Sequence, residues 1–77
     1  MTNWTLINEV VNYVIYIYEC EGIAETTESI RNRTIEWYQN SDIADFKTLS
    51  AAVYIGRYNR KISYGEIFFV RINLLFL

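Results

Sequence analysis

The apolar positions of this chain fall into four stretches separated by polar turns. Between residues 5 and 21, Leu6, Val10, Val14, Ile17 and Tyr18 recur at helical spacing, while Asn8, Glu9, Asn12 and Glu19 share the wetter side. The spacing predicts a first helix over 5–21, with Gly22 as its stop. The run from Tyr13 to Tyr18 is β-branched and aromatic and has strand propensity, but the helical spacing persists on both sides of it. Residues 23–26 read as a linker. Thr26 or Thr27 then serves as an N-cap, with Glu28 in the first turn, where a carboxylate complements the helix dipole. The second helix runs to about Asn40. Its apolar side is Ile30, Thr34, Trp37 and Tyr38, flanked by Ile35; Arg31, Asn32, Arg33 and Glu36 are assigned to the wet face.

Asn40-Ser41-Asp42 is turn chemistry followed by a cap, which predicts a third helix over about 43–60. It carries Phe46, Leu49, Ala52, Val53 and Gly56 at steps of three and four. Ser50, Ala51, Ala52 and Gly56 are small and let a neighbouring helix approach. A glycine inside a helix costs about 1 kcal/mol relative to alanine, so Gly56 is expected to be compensated by such a contact. Ser63-Tyr64-Gly65-Glu66 has the form of a capping box, and Ile62 and Ile67 supply the accompanying hydrophobic staple. Together they predict a fourth helix over 64–77. An edge strand is the alternative, because Phe68-Phe69-Val70 has strand propensity. The closing run from Ile67 to Leu77 is almost wholly apolar, and a frayed, solvated terminus is the commoner arrangement. It is expected to be covered by another helix, another chain, or sequence outside this polypeptide. The fold class that follows is all-α, a small four-helix arrangement in one domain over residues 1–77.

Composition narrows the chemistry. Seventy-seven residues bury a small core. Histidine is absent and Cys20 is the single cysteine, which excludes an internal disulfide, a Cys/His zinc site and any imidazole-dependent catalysis. Cys20 is expected to be a half-buried apolar residue in a reducing, intracellular setting, cytoplasm or nucleus. Nine acidic residues against seven basic ones make a poor profile for gripping phosphates, so no direct nucleic-acid contact is expected. Arg57, Arg60 and Lys61 form a small basic cluster that reads as a solvated helix end. The N-terminus lacks the basic region of a signal peptide, and the apolar runs are too short, or too interrupted by Asn12, Arg71 and Asn73, to span a bilayer. The carboxylate pairs Glu19/Glu21, Glu25/Glu28 and Asp42/Asp45 are ordinary surface spacings, and the glycines are isolated. No enzyme activity, metal or cofactor is expected. The unusual resource is aromatic, with seven tyrosines and two tryptophans. Such residues build small cores and also dominate interfaces, and Trp37 suits either role.

Ile30-Arg31-Asn32-Arg33-Thr34-Ile35-Glu36-Trp37 resembles the Met-Arg-Ala-Ile-Leu-x-Asp-Trp signature of the first cyclin-box helix, with arginine, acid and tryptophan at the same mutual spacing. Val53-Tyr54-Ile55-Gly56-Arg57-Tyr58 resembles the signature that ends the second cyclin-box helix, and Ile62 to Leu77 sits where that family begins its buried third helix. Cyclins of the phosphate-regulon and plant U-type look most similar. The resemblance covers about residues 30–77, making 5–21 a leading helix and 27–77 an incomplete cyclin box. It departs from the family at Gly56, which stands where the family's aspartate pairs with the arginine matched by Arg31. Thr34 replaces a leucine of the exposed docking patch, leaving Ile30 and Trp37 as its matched members. The two signatures also lie closer together than in the family, and the chain stops before the residues that contact the kinase. Leu49 to Ile55 followed by Ile62 to Ile67 also resembles the cyclin-fold repeat of transcription factor IIB.

The resemblance implies a non-catalytic protein-binding module, the regulatory partner of a serine/threonine, cyclin-dependent protein kinase, in cell-cycle or transcriptional control. The residues it points to are Ile30, Arg31 and Trp37. The alternative is a small helical regulator of viral or mobile-element type that binds a host protein and self-associates through its C-terminal run. On that view Phe68, Phe69, Leu75 and Phe76 form the contact.

Overall fold

A computed structural model of the chain describes residues 2–57 and Ile67. Among these the secondary structure is helical, with no strand: α1 spans Trp4–Glu21, α2 Thr27–Asn40 and α3 Phe46–Gly56. Each helix packs against both of the others. The expected fourth helix over 64–77 lies outside the described residues except at Ile67, which is helical and buried in the common core.

Local chemistry sets the ends of α1. The Asn3 side chain accepts a hydrogen bond from the Leu6 amide at 3.1 Å. At the other end Gly22 adopts φ 72°, a left-handed conformation that a Cβ would strain. Its N–H reaches the Glu19 carbonyl, and the Ile23 N–H reaches that of Tyr18, a Schellman pairing that satisfies two carbonyls the helix leaves open. Between these ends Leu6, Val10, Val14, Ile17 and Tyr18 are buried as the periodicity anticipates, and Ile7 and Val11 widen the stripe.

For α2 the cap is Thr26, whose hydroxyl accepts from the Ser29 amide at 3.1 Å. Ile30 and Thr34 turn into the core, and the Thr34 hydroxyl is satisfied by donating to the Ile30 carbonyl at 2.7 Å. The Asn3 amide donates to the Tyr38 hydroxyl at 3.1 Å and ties the start of α1 to α2.

α3 begins later than the sequence pattern indicates. Asp45 is the cap, accepting from the Thr48 amide at 2.9 Å, so Asp42 is not. Ile43 precedes the helix and is buried there as an anchor. Both aspartates stand in turn-rich sequence, and the choice between them follows from Ile43 entering the core ahead of the helix. α3 ends at Gly56 with Arg57 in a turn, and residues 58–60 of the expected helix lie outside the described residues. Leu49, Ser50, Ala51, Ala52, Val53 and Gly56 are all buried, because a helix wedged between two others is apolar or small on most of its circumference. Tyr13 stacks in a tilted arrangement on Phe46, with ring centroids 5.2 Å apart.

The compensation expected for Gly56 is present. A Cβ built there would lie 2.8 Å from Trp37 Nε1 and 3.4 Å from Arg33 Cδ. The missing side chain is what lets α2 and α3 close on each other.

Candidate functional site

The densest polar chemistry lies at the C-terminal end of α3. The last carbonyls of a helix have no partner within it. Here Arg33 Nε donates to the Val53 carbonyl at 2.8 Å, and the Tyr18 hydroxyl donates to the Tyr54 carbonyl at 2.9 Å. Side chains from α2 and α1 therefore close the end of α3. The guanidinium also places positive charge at the negative end of the helix dipole.

Arg33 is itself held. Nη1 donates to one Glu25 carboxylate oxygen at 2.6 Å, and Nη2 donates to the other at 3.0 Å and to the Tyr18 hydroxyl at 3.0 Å. The bidentate fork is the strong form of this pairing. The Ser29 hydroxyl donates to Glu25 at 2.7 Å, and Arg57 Nη1 lies 3.8 Å from the same carboxylate. Arg57 also sits over the Tyr18 ring, 5.8 Å from its centroid. The Tyr54 hydroxyl extends the cluster by donating to Glu21 at 2.8 Å. The Arg33 and Glu25 side chains are only 15% and 11% exposed, so solvent screens the pair weakly. The Arg33 hydrogen bond holds the Glu25 carboxyl below its ordinary pKa against the opposing effect of burial, and Ser29 adds to the lowering. For Arg33 burial is the largest influence and works against the charge; the hydrogen bond to Glu25 and the contact with Tyr18 outweigh it and raise its pKa.

Beside this cluster α2 borders a groove of about 560 Å³, lined by Ser29, Asn32, Arg33, Glu36, Trp37 and Gly56 among others. Two rows on successive helical turns shape it. Ser29, Arg33 and Trp37 form one; Glu28, Asn32, Glu36 and Asn40 form the other. Its volume is that of a small-molecule or side-chain pocket. A second cavity of about 450 Å³ shares Trp37 and Asn40 with it and extends to Ile43 and Ile67.

Of the residues singled out from sequence, Trp37 is half-buried and lines both cavities, and Arg31 is exposed with no ion pair among the described residues. Of the two matched members of the docking patch, Ile30 is only 1% exposed and faces the core, which leaves Trp37 as the member within reach of a partner; Thr34, which departs from the patch, is fully buried. Phe68, Phe69, Leu75 and Phe76 lie outside the described residues. Cys20, expected to be half-buried, is exposed, beside Tyr16, whose hydroxyl pKa is raised chiefly by their hydrogen bond.

Arg33 and Glu25 are the residues that pattern reasoning misses. It puts Arg33 on the wet face and Glu25 in a linker, two helical turns apart. Their contact needs the long arginine to lean back toward the start of α2, the direction in which helix side chains point. The i, i+4, i+8 series Glu25, Ser29, Arg33 is the one signal in the sequence that hints at it. Among the described residues no group of three or more Cys, Asp or Glu gathers as a metal site, and no helix is long and apolar enough to cross a membrane.

No protein-family model matches this chain, and neither a curated protein nor a solved structure matches it.

Proposed function

We propose that the chain is a non-catalytic helical module that binds another protein through the groove along α2, and that its partner is a serine/threonine protein kinase of the cyclin-dependent type. The observation that carries the docking face is Trp37: a half-buried tryptophan bordering a groove of about 560 Å³, with Gly56 leaving the space beside its indole. Interfaces concentrate their energy on such aromatic anchors set in pockets. The kinase partner rests on the cyclin-box resemblance of Ile30 to Trp37 and of Val53 to Tyr58, in which the signature tryptophan is this same Trp37. A subunit of this kind activates by binding one arrangement of the kinase more tightly than another, which shifts the population toward it.

A pull-down of cyclin-dependent kinases on the immobilised chain tests the reading, with Trp37→Ala as comparison and circular dichroism confirming that both are folded. Loss of a hot spot of about 2 kcal/mol weakens capture roughly thirtyfold. Equal retention by both chains, or no kinase retained at micromolar protein, overturns it. Light scattering on the same sample reads the competing outcome, a chain that pairs with itself.

A further inference from the structure

Among the described residues three charged side chains border the α2 groove: Glu28, Arg33 and Glu36. Their charges do not count equally. Four of the five N–H donors of Arg33 are already directed away to Val53, Tyr18 and Glu25. Its charge is matched at 2.6 Å by a carboxylate that does not itself line the groove among the described residues. Glu28 and Glu36 are exposed and have no ion pair among the described residues. Glu28 has a local reason to be acidic, since it stands in the first turn of α2. Glu36 has no such reason, since it lies outside the first turn of the helix. Meanwhile Arg33 Cδ and Trp37 Nε1 crowd the same point above Gly56, so the arginine stem and the indole are neighbours in the groove wall.

We infer that Glu25 is the residue that sets the charge the groove offers a partner: by clasping Arg33 from behind it withdraws the guanidinium, so that the groove presents the two glutamates and the Trp37 ring. The intact groove thus favours a cationic group, and a groove that has lost Glu25 presents the guanidinium beside Trp37 and favours an anionic one. This goes one step past the docking reading and rests on it for its meaning. The charge at Trp37 is nonetheless measurable with no partner present.

Quenching of indole fluorescence by caesium and by iodide reads that charge. The experiment uses the full chain carrying Trp4→Phe, so that Trp37 is the single emitter; Trp4 is 55% exposed and stands outside the core cluster. In this background caesium should quench Trp37 more effectively, relative to iodide, than it quenches free tryptophan. Glu25→Gln should shift the ratio of the two quenching constants toward iodide by roughly twofold at low salt, the effect of unmasking one charge within several ångströms. Adding Arg33→Gln to Glu25→Gln should abolish that shift, which a general loosening of the helices would not do. If Glu25→Gln does not fold by circular dichroism, Glu25→Asp carries the test, since it keeps the charge but shortens the clasp and should give a smaller shift of the same sign. An unchanged ratio in the folded variant, or a shift that survives removal of Arg33, overturns the inference. A failed kinase pull-down with the quenching shift intact overturns the partner and leaves the role of Glu25 standing.

Discussion

Arg33 on α2 donates through Nε to the carbonyl of Val53 on α3 at 2.8 Å, so the end of one helix is finished by a side chain of another. The bond satisfies a carbonyl in the last turn of α3 and ties α2 to the end of α3.

Replacing Arg33 with methionine should destabilise the fold by about 2–3 kcal/mol, because it strands the Val53 carbonyl and leaves the Glu25 carboxylate without its counter-charge. Arg33→Lys keeps the charge but not the fork and should cost about half as much. Urea titrations give the totals, and hydrogen exchange should show the loss concentrated at the end of α3.

The pairing of Glu25 predicts a specific acid sensitivity. Its pKa in the folded chain lies below the ordinary value of 4.5, so its contribution to stability is complete above that value and is lost as pH falls through the folded pKa. Arg33 stays protonated throughout. Wild-type stability minus that of Glu25→Gln should therefore be about 1–3 kcal/mol near neutral pH and shrink toward zero as pH falls through the lowered folded pKa. A difference that stays constant as the solution is acidified would show that Glu25 acts by shape rather than by charge.

Two glycines should respond to alanine for different reasons. A methyl added at Gly22 would meet nothing within 4 Å, but the residue sits at φ 72°, so Gly22→Ala should cost about 1–2 kcal/mol from backbone strain alone. Gly56 is helical, where alanine is intrinsically better by about 1 kcal/mol, yet its Cβ would meet the Trp37 indole at 2.8 Å. Gly56→Ala should therefore be net destabilising by about 1–2 kcal/mol. The sign should reverse in a Trp37→Leu background, and a double-mutant cycle on thermal unfolding reads the coupling.

Ser50 is fully buried in α3 and its hydroxyl has no hydrogen-bond partner among the described residues. Ser50→Ala removes an unsatisfied polar group, improves helix propensity and opens almost no space, so it should stabilise the fold by about 1 kcal/mol in thermal unfolding.

Much of the scaffold is legible in the order of residues. The buried stripe of α1, its stop at Gly22, a threonine cap at 26 or 27 and the tight contact at Gly56 all follow from information carried within a few residues: a repeat of apolar side chains, an oxygen at the right offset, a missing Cβ. Ile30 and Thr34 are buried as the helical periodicity of α2 anticipates, because burial of an apolar face is a strong local demand. Only the packing of the three helices decided the rest. The start of α3 at Asp45 rather than Asp42 depends on where Ile43 finds a core to enter. Arg33 turns from a solvated residue into the centre of a half-buried cluster because Tyr18, Glu25 and Val53 converge on it from three parts of the chain. A polar side chain carries no record in its own sequence neighbourhood of which distant carbonyl will need it.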